Sequence, residues 1–209
     1  MKEMLKKIKS IISENRIIFL WVLLFFLIGI VLGSYTVYYM SDVGKIEIGG
    51  YFSNFLKFIK GNEINYVSVL LSSIKSIIPA CVLIIVFGYT LIGFPFVLAI
   101  NLIKGYVLGF TLALVITVLG TKGIGVLFTT LVLQNIIYIP VLILMSILSI
   151  KSSFIKFKSL RKDSARNEIN GKEYFMVQSF LMVLIFFGIL IETYISPNLS
   201  RLVINVWYL

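Results

Sequence analysis

Long runs without a charged residue dominate the hydrophobic pattern of this chain. A helix that rises 1.5 Å per residue needs about 20 apolar residues to cross roughly 30 Å of hydrocarbon. The uncharged runs cover 17–40, 76–103, 105–121, 123–150 and 174–191. The pattern therefore predicts an all-α integral membrane protein, a polytopic bundle of about five transmembrane helices near 17–40, 74–92, 96–120, 124–149 and 174–195.

Two segments between these runs have a mixed polar and apolar pattern, which predicts short amphipathic interfacial helices. The first, 41–73, contains apolar residues at helical spacing in 51–59, after Gly49-Gly50, and the aromatic residues of that stretch are the candidate partner-binding residues Tyr51, Phe52, Phe55 and Phe58. This segment either lies flat on a membrane face or packs on the bundle. The second, 151–173, is predicted as a basic cytoplasmic loop. All of these segments are assigned to one membrane domain, 1–209.

Composition and charge agree with a membrane protein and fix a predicted orientation. The chain is 59% hydrophobic and 13% charged, which leaves too little polar surface for a soluble domain. Its net charge is +10, and most Lys and Arg residues fall in 1–16 and 151–173. The positive-inside bias places both segments in the cytoplasm, with 41–73 and the C-terminus outside. Because this bias explains the basic charge, we predict no nucleic-acid partner.

The residue inventory argues against catalysis. The chain has no His and one Cys, Cys81, which lies inside an apolar run. Zinc sites and Ser-His-Asp or Cys-His centres therefore lack their usual ligand or base. We predict that the protein is not an enzyme and has no catalytic residues, metal or cofactor.

Four polar residues inside the apolar runs are candidates for buried polar chemistry: Asn101, Lys104, Gln134 and Asn135. If the third helix starts at Pro95, Lys104 lies deep in the membrane, where a cation indicates a functional site. If 95–103 is interfacial or re-entrant, Lys104 lies at the headgroups, and this geometry is favoured because it needs no buried charge. These residues either form structural hydrogen bonds or line the path of a small dimeric transporter or channel.

Two pairs of glycines are spaced for close helix packing. Gly29 with Gly33, and Gly105 with Gly109, each lie on one helix face and allow another backbone to approach. They serve either a homodimer contact or packing within one bundle, and the second interpretation is favoured.

Several short motifs between residues 92 and 140 resemble a known family. They are Ile92-Gly93-Phe94-Pro95, Lys104-Gly105, Gly109-Phe110-Thr111, Gln134-Asn135 and Ile139-Pro140. The pattern resembles stage II sporulation protein M of endospore-forming Firmicutes. The resemblance implies a non-enzymatic membrane scaffold in forespore engulfment, located in the mother-cell membrane at the septum and in the engulfing membrane. Its implied partners, besides the lipid bilayer, are stage II sporulation proteins D, a transglycosylase, and P, an amidase.

Overall fold

The computed structural model describes residues 13–61, 65–120, 125, 127–159 and 171–207, with side chains except at 51–53, 55–61, 119, 159, 173 and 204–207. These residues are almost entirely helical and include no strand. Five helical spans among them are long and apolar enough to cross a membrane. The predicted fold class, a polytopic all-α membrane protein, is confirmed.

Seven α-helices and two π-helical turns make up the described part of the chain. The α-helices are α1 (Arg16–Tyr38), α2 (Asp42–Gly61), α3 (Tyr66–Tyr89), α4 (Gly93–Leu119), α5 (Leu133–Ser159), α6 (Gly171–Leu190) and α7 (Ser196–Trp207). One π turn, Phe128–Val132, leads into α5, and the other, Ile191–Ile195, joins α6 to α7. The fourth and fifth spans therefore run from Phe128 to Lys158 and from Tyr174 to Val203.

Several helix bounds differ from the predicted ones. The second span begins at Tyr66 rather than near 74, because the Asn65 side chain caps it by accepting a hydrogen bond from the Ser68 N–H at 3.1 Å. The predicted amphipathic segment 41–73 thus divides into α2 and the first turns of α3. The first part of the predicted loop 151–173 is helical, since α5 continues to Ser159, and 160–170 lie outside the described residues.

Helix α5 forms the centre of the bundle. All residues from 141 to 150 are buried, and α5 packs against α1, α3, α4 and α6. The five spans alternate in direction, which creates two ends. We call the end that contains Arg16, Tyr89 and Gly93 the basic end, and the end that contains Tyr38 and Tyr66 the opposite end.

The favoured placement of Lys104 at the headgroups is wrong. Helix α4 continues without a break from Gly93 to Leu119, so Lys104 lies roughly 16 Å along it, near the middle of the membrane. Pro95 does not interrupt the helix, because it lies in the first turn, where a missing N–H removes no intrahelical hydrogen bond. A cation is tolerated at this depth because polar groups from other helices lie around it.

Candidate functional site

A polar cavity of about 130 Å³ lies between the helices at the depth of Lys104. Its polar lining comes from α3, α4, α5 and the π turn between α6 and α7, and consists of Ser76, Lys104, Thr111, Gln134, Asn135, Tyr138 and Glu192. The other lining residues are apolar. Polar groups are rare in the hydrocarbon region and generally face the interior of a bundle. This convergence of four elements on one polar space makes the cavity the candidate functional site.

The ammonium group of Lys104 is held by a backbone carbonyl. Its Nζ donates to the Ser76 carbonyl oxygen at 2.6 Å. Ser76 lies one turn before Pro79, a proline inside α3 that cannot donate to the carbonyl of Lys75. A strong acceptor at this position compensates part of the desolvation of the cation.

Glu192 supplies a negative charge on the same cavity. Its carboxylate accepts a hydrogen bond from the Tyr138 hydroxyl at 2.7 Å. In the described part of the chain no direct ion pair joins Lys104 to Glu192, although they are close enough for their charges to interact. One basic and one acidic side chain therefore line the same cavity.

The position of Glu192 was missed by the sequence reasoning, which ended the last span near 195. The span instead continues through the π turn Ile191–Ile195 into α7, so Glu192 lies well inside it. Leu199, Leu202 and Val203 continue the apolar pattern at helical spacing, and this signal could have revealed the extension. Isolated π turns inside α-helices often occur at functional sites.

Gln134 and Asn135 differ in how they are satisfied. The Asn135 side chain donates to the Leu131 carbonyl of the preceding turn at 2.8 Å. The Gln134 Oε1 atom is buried and accepts no hydrogen bond. The cavity has the volume of roughly four water molecules in the liquid. An occupant that donates to Gln134 and Glu192 and accepts from Lys104 would satisfy all three groups.

Asn101 does not belong to this site. Its amide donates to Ser146 Oγ at 2.7 Å and to the Val97 carbonyl at 2.8 Å, and the residue is 2% exposed. These contacts join α4 to the central helix without a cavity. The structure thus places three of the four predicted polar residues around the cavity and gives the fourth a structural contact.

A second buried polar cluster, near the basic end, was also missed. Gln178 donates to Ser149 Oγ and to the Met145 carbonyl, both at 3.1 Å. Tyr174 shares a 2.9 Å hydrogen bond with Ser149 and donates to the Ile85 carbonyl at 3.0 Å. The Gln178 Oε1 atom, like that of Gln134, is buried and accepts no hydrogen bond. The cluster links α3, α5 and α6 and contains no carboxylate or amine, which indicates a structural role.

The four glycines of the two spaced pairs face each other within one chain. Helices α1 and α4 run parallel, and a Cβ added at Gly29 or Gly33 would lie 2.8 Å from the Tyr106 N or 2.7 Å from the Phe110 N. A Cβ at Gly105 or Gly109 would meet the carbonyl of Phe26 or Ile30. We call this contact the glycine seam. A homodimer would have to use another surface.

The remaining predicted residues give no further site. Tyr51, Phe52, Phe55 and Phe58 lie on the backbone of α2, but their side chains are outside the described residues, so their role stays a prediction. Cys81 is fully buried and unpaired by a disulfide. Within the described ranges, no group of three or more His, Cys, Asp or Glu residues could hold a metal ion.

Comparison with known proteins gives one match. The family model described as stage II sporulation protein M matches residues 22–197, well over half of the chain. No curated protein and no solved structure matches.

Proposed function

The chain belongs to the stage II sporulation protein M family, and on that premise we propose that it is a non-enzymatic membrane scaffold. In this role it anchors and localises a peptidoglycan-degrading complex while the mother cell engulfs the forespore. The proposed partners are stage II sporulation proteins D, a transglycosylase, and P, an amidase. The observation that carries the proposal is the family match over 22–197, which reaches into all five membrane spans.

The distribution of basic residues supports an orientation that suits this role. Arg16, Lys151, Lys156 and Lys158 lie at the basic end, which the positive-inside bias places in the cytoplasm. Helix α2 and the end of α7 then face outward, toward the peptidoglycan that the partners cut. In a sporulating cell we place the protein in the mother-cell membrane at the septum and in the engulfing membrane.

Helix α2 is the proposed partner-binding surface. It connects two spans at the opposite end, and it packs against α7 and the end of α4. Val43 and Ile46 in its first half are 67% and 74% exposed. Exposed apolar side chains on a short helix outside the central bundle can bind either lipid or an apolar patch of a partner.

Crosslinking and purification of the tagged full-length protein from sporulating cells of its source tests the scaffold. We expect a transglycosylase and an amidase to be recovered with it. Combined replacement of Tyr51, Phe52, Phe55 and Phe58 by Ser should reduce their recovery at least tenfold. The matched control, Asn54→Ala, changes an exposed polar side chain among these aromatic residues on the same helix and should leave recovery within about twofold. Recovery of the protein without either enzyme would overturn the proposal.

The polar cavity supports a second candidate, a small membrane transporter or channel. The observation that favours it is the position of Lys104 in mid-membrane, where Lys104 and Glu192 both line a space large enough for several waters. Ionisable residues at this depth commonly mark ion or substrate pathways. A pure scaffold does not require such a cavity.

Solute flux into liposomes that contain the purified protein tests this second candidate. Flux abolished by Gln134→Leu or Lys104→Met would support transport. The matched control is Gln178→Leu, which removes a buried amide with the same chemistry from the structural cluster outside the cavity. Partner recovery that survives Lys104→Met, combined with no flux in the unmodified protein, would leave the scaffold as the function.

A further inference from the structure

A large apolar cleft lies at the basic end, far from the polar cavity. It has a volume of about 580 Å³ and is formed by the start of α1, the start of α4 and the last turns of α5. Its apolar walls include Ile18, Trp21, Phe25, Leu98 and Phe154. The Phe94 and Phe154 rings stack at 5.0 Å and close one side. This volume falls within the range of small-molecule binding sites.

Two lysines at its rim are the charged residues that line the cleft within the described part of the chain. Lys151 and Lys158 lie two helical turns apart on one face of α5, which separates their Cα atoms by roughly 10 Å. The fourth span is 31 residues long, about ten more than a bilayer needs. The last turns of α5 therefore reach the headgroup region, where the ammonium groups of both lysines can contact lipid phosphate.

We propose that this cleft binds one anionic phospholipid, with an acyl chain between α1, α4 and α5 and with its phosphate between Lys151 and Lys158. The apolar walls suit an acyl chain, and the two rim cations suit a headgroup with net negative charge. Basic pockets between helices at the cytoplasmic membrane face commonly bind such headgroups. The proposal is independent of the scaffold and of transport.

The local charge balance favours an anionic headgroup over a zwitterionic one. Lys151 Nζ lies 3.7 Å from Glu14 Oε2, and the side chains are 31% and 63% exposed. An ion pair this exposed contributes little, so Lys151 stays able to bind phosphate. Lys158 adds a second positive charge on the same face. The choline group of a zwitterionic lipid would weaken the attraction to both cations.

The fluorescence of Trp21 gives a direct test, because this side chain lines the cleft. The chain has two tryptophans, and Trp207→Phe leaves Trp21 as the only one. This variant is placed in phosphatidylcholine vesicles with a low fraction of lipid brominated in the upper acyl chain. We expect brominated phosphatidylglycerol to quench Trp21 with higher apparent affinity than brominated phosphatidylcholine with matched chains. Lys158→Gln should lower this preference about fivefold, the value of one lysine near an anionic surface.

Two further variants identify the binding position. Lys158→Arg keeps the charge and should keep the preference. Lys172→Gln removes an exposed lysine at the same end that does not line the cleft, and it should have no effect. Equal quenching by both brominated lipids would overturn the proposal. A preference that survives replacement of both Lys151 and Lys158 by Gln would overturn it as well.

Discussion

Helix α4 has two faces in the membrane that differ completely in chemistry. Gly105 lies against the backbone of α1 in the glycine seam, whereas its neighbour Lys104 points into the polar cavity. Successive residues of a helix are about 100° apart, so one residue can contact a dry interface while the next lines a polar space. The comparison shows that close packing and polar function occur at the same depth without disturbing each other.

The two faces are stabilised by opposite means. The glycine seam is stable because its residues have no side chains, so the two backbones come into van der Waals contact. This contact stabilises the helix pair, since lipid supplies no hydrophobic driving force between helices. The cavity depends on side chains that provide partners for one another, since unpaired polar groups are costly in hydrocarbon. Substitutions should therefore act by steric clash at the seam and by loss of partners at the cavity.

The largest effect should come from the seam. Gly105→Val places a Cβ against the Phe26 carbonyl, and no side-chain rotation can relieve a clash with backbone. We expect a loss of about 3 kcal/mol or more in the free energy of unfolding, measured by SDS titration in mixed micelles. Gly50→Val is the control, because a Cβ there meets no atom within 4 Å. Equal stability of the two variants would show that α1 and α4 are further apart than the close contacts at Gly105 require.

The next effect should come from the charges of the cavity. Lys104→Met removes the cation that shares the cavity with Glu192, and we expect a loss of about 2 kcal/mol in the free energy of unfolding, less than complete burial would give. Adding Glu192→Gln should restore about half of this loss. The same titration applied to both single variants and the double variant measures the coupling. Strictly additive losses would show that the two charges do not interact.

A smaller effect should follow from loss of the donor to Glu192. Tyr138→Phe removes the 2.7 Å hydrogen bond to this carboxylate, and we expect a loss of about 1.5 kcal/mol. Tyr194→Phe, at an exposed tyrosine in the adjoining π turn, should change stability by about 0.5 kcal/mol or less. If Tyr138→Phe lowers the free energy of unfolding no more than Tyr194→Phe does, the hydrogen bond from Tyr138 to Glu192 does not stabilise the protein.

The smallest effect should occur at Gln134. Because its Oε1 atom already lacks a partner, Gln134→Met should change the unfolding free energy by about 0.5 kcal/mol or less. Asn101→Leu leaves Ser146 without its donor and should lose about 1 kcal/mol. A loss at Gln134 larger than at Asn101 would show that an occupant of the cavity forms a hydrogen bond with Gln134.

The candidate site shows where sequence reasoning reached its limit. Lys104, Gln134 and Asn135 could be selected by their place among the apolar runs, but Asn101 could not be separated from them, and Glu192 was not selected. Lys104 was assigned to the headgroups because a buried cation has a high cost when considered alone. Its partners, the Ser76 carbonyl and Glu192, belong to other helices and are distant in sequence. Only their approach makes the mid-membrane position acceptable.

By itself, the sequence determined the five spans, the concentration of basic residues toward one end and the glycine spacings. These properties depend on local composition, because each helix must satisfy its own backbone in lipid. Only the tertiary structure decided that Gly29 and Gly33 pack on the backbone of α4 and Gly105 and Gly109 on that of α1, and that Lys104 and Glu192 line one cavity. The physical reason is that lipid is as apolar as the helix surfaces, so hydropathy does not specify which faces pair. Small residues and polar groups on different helices together determine which faces pair.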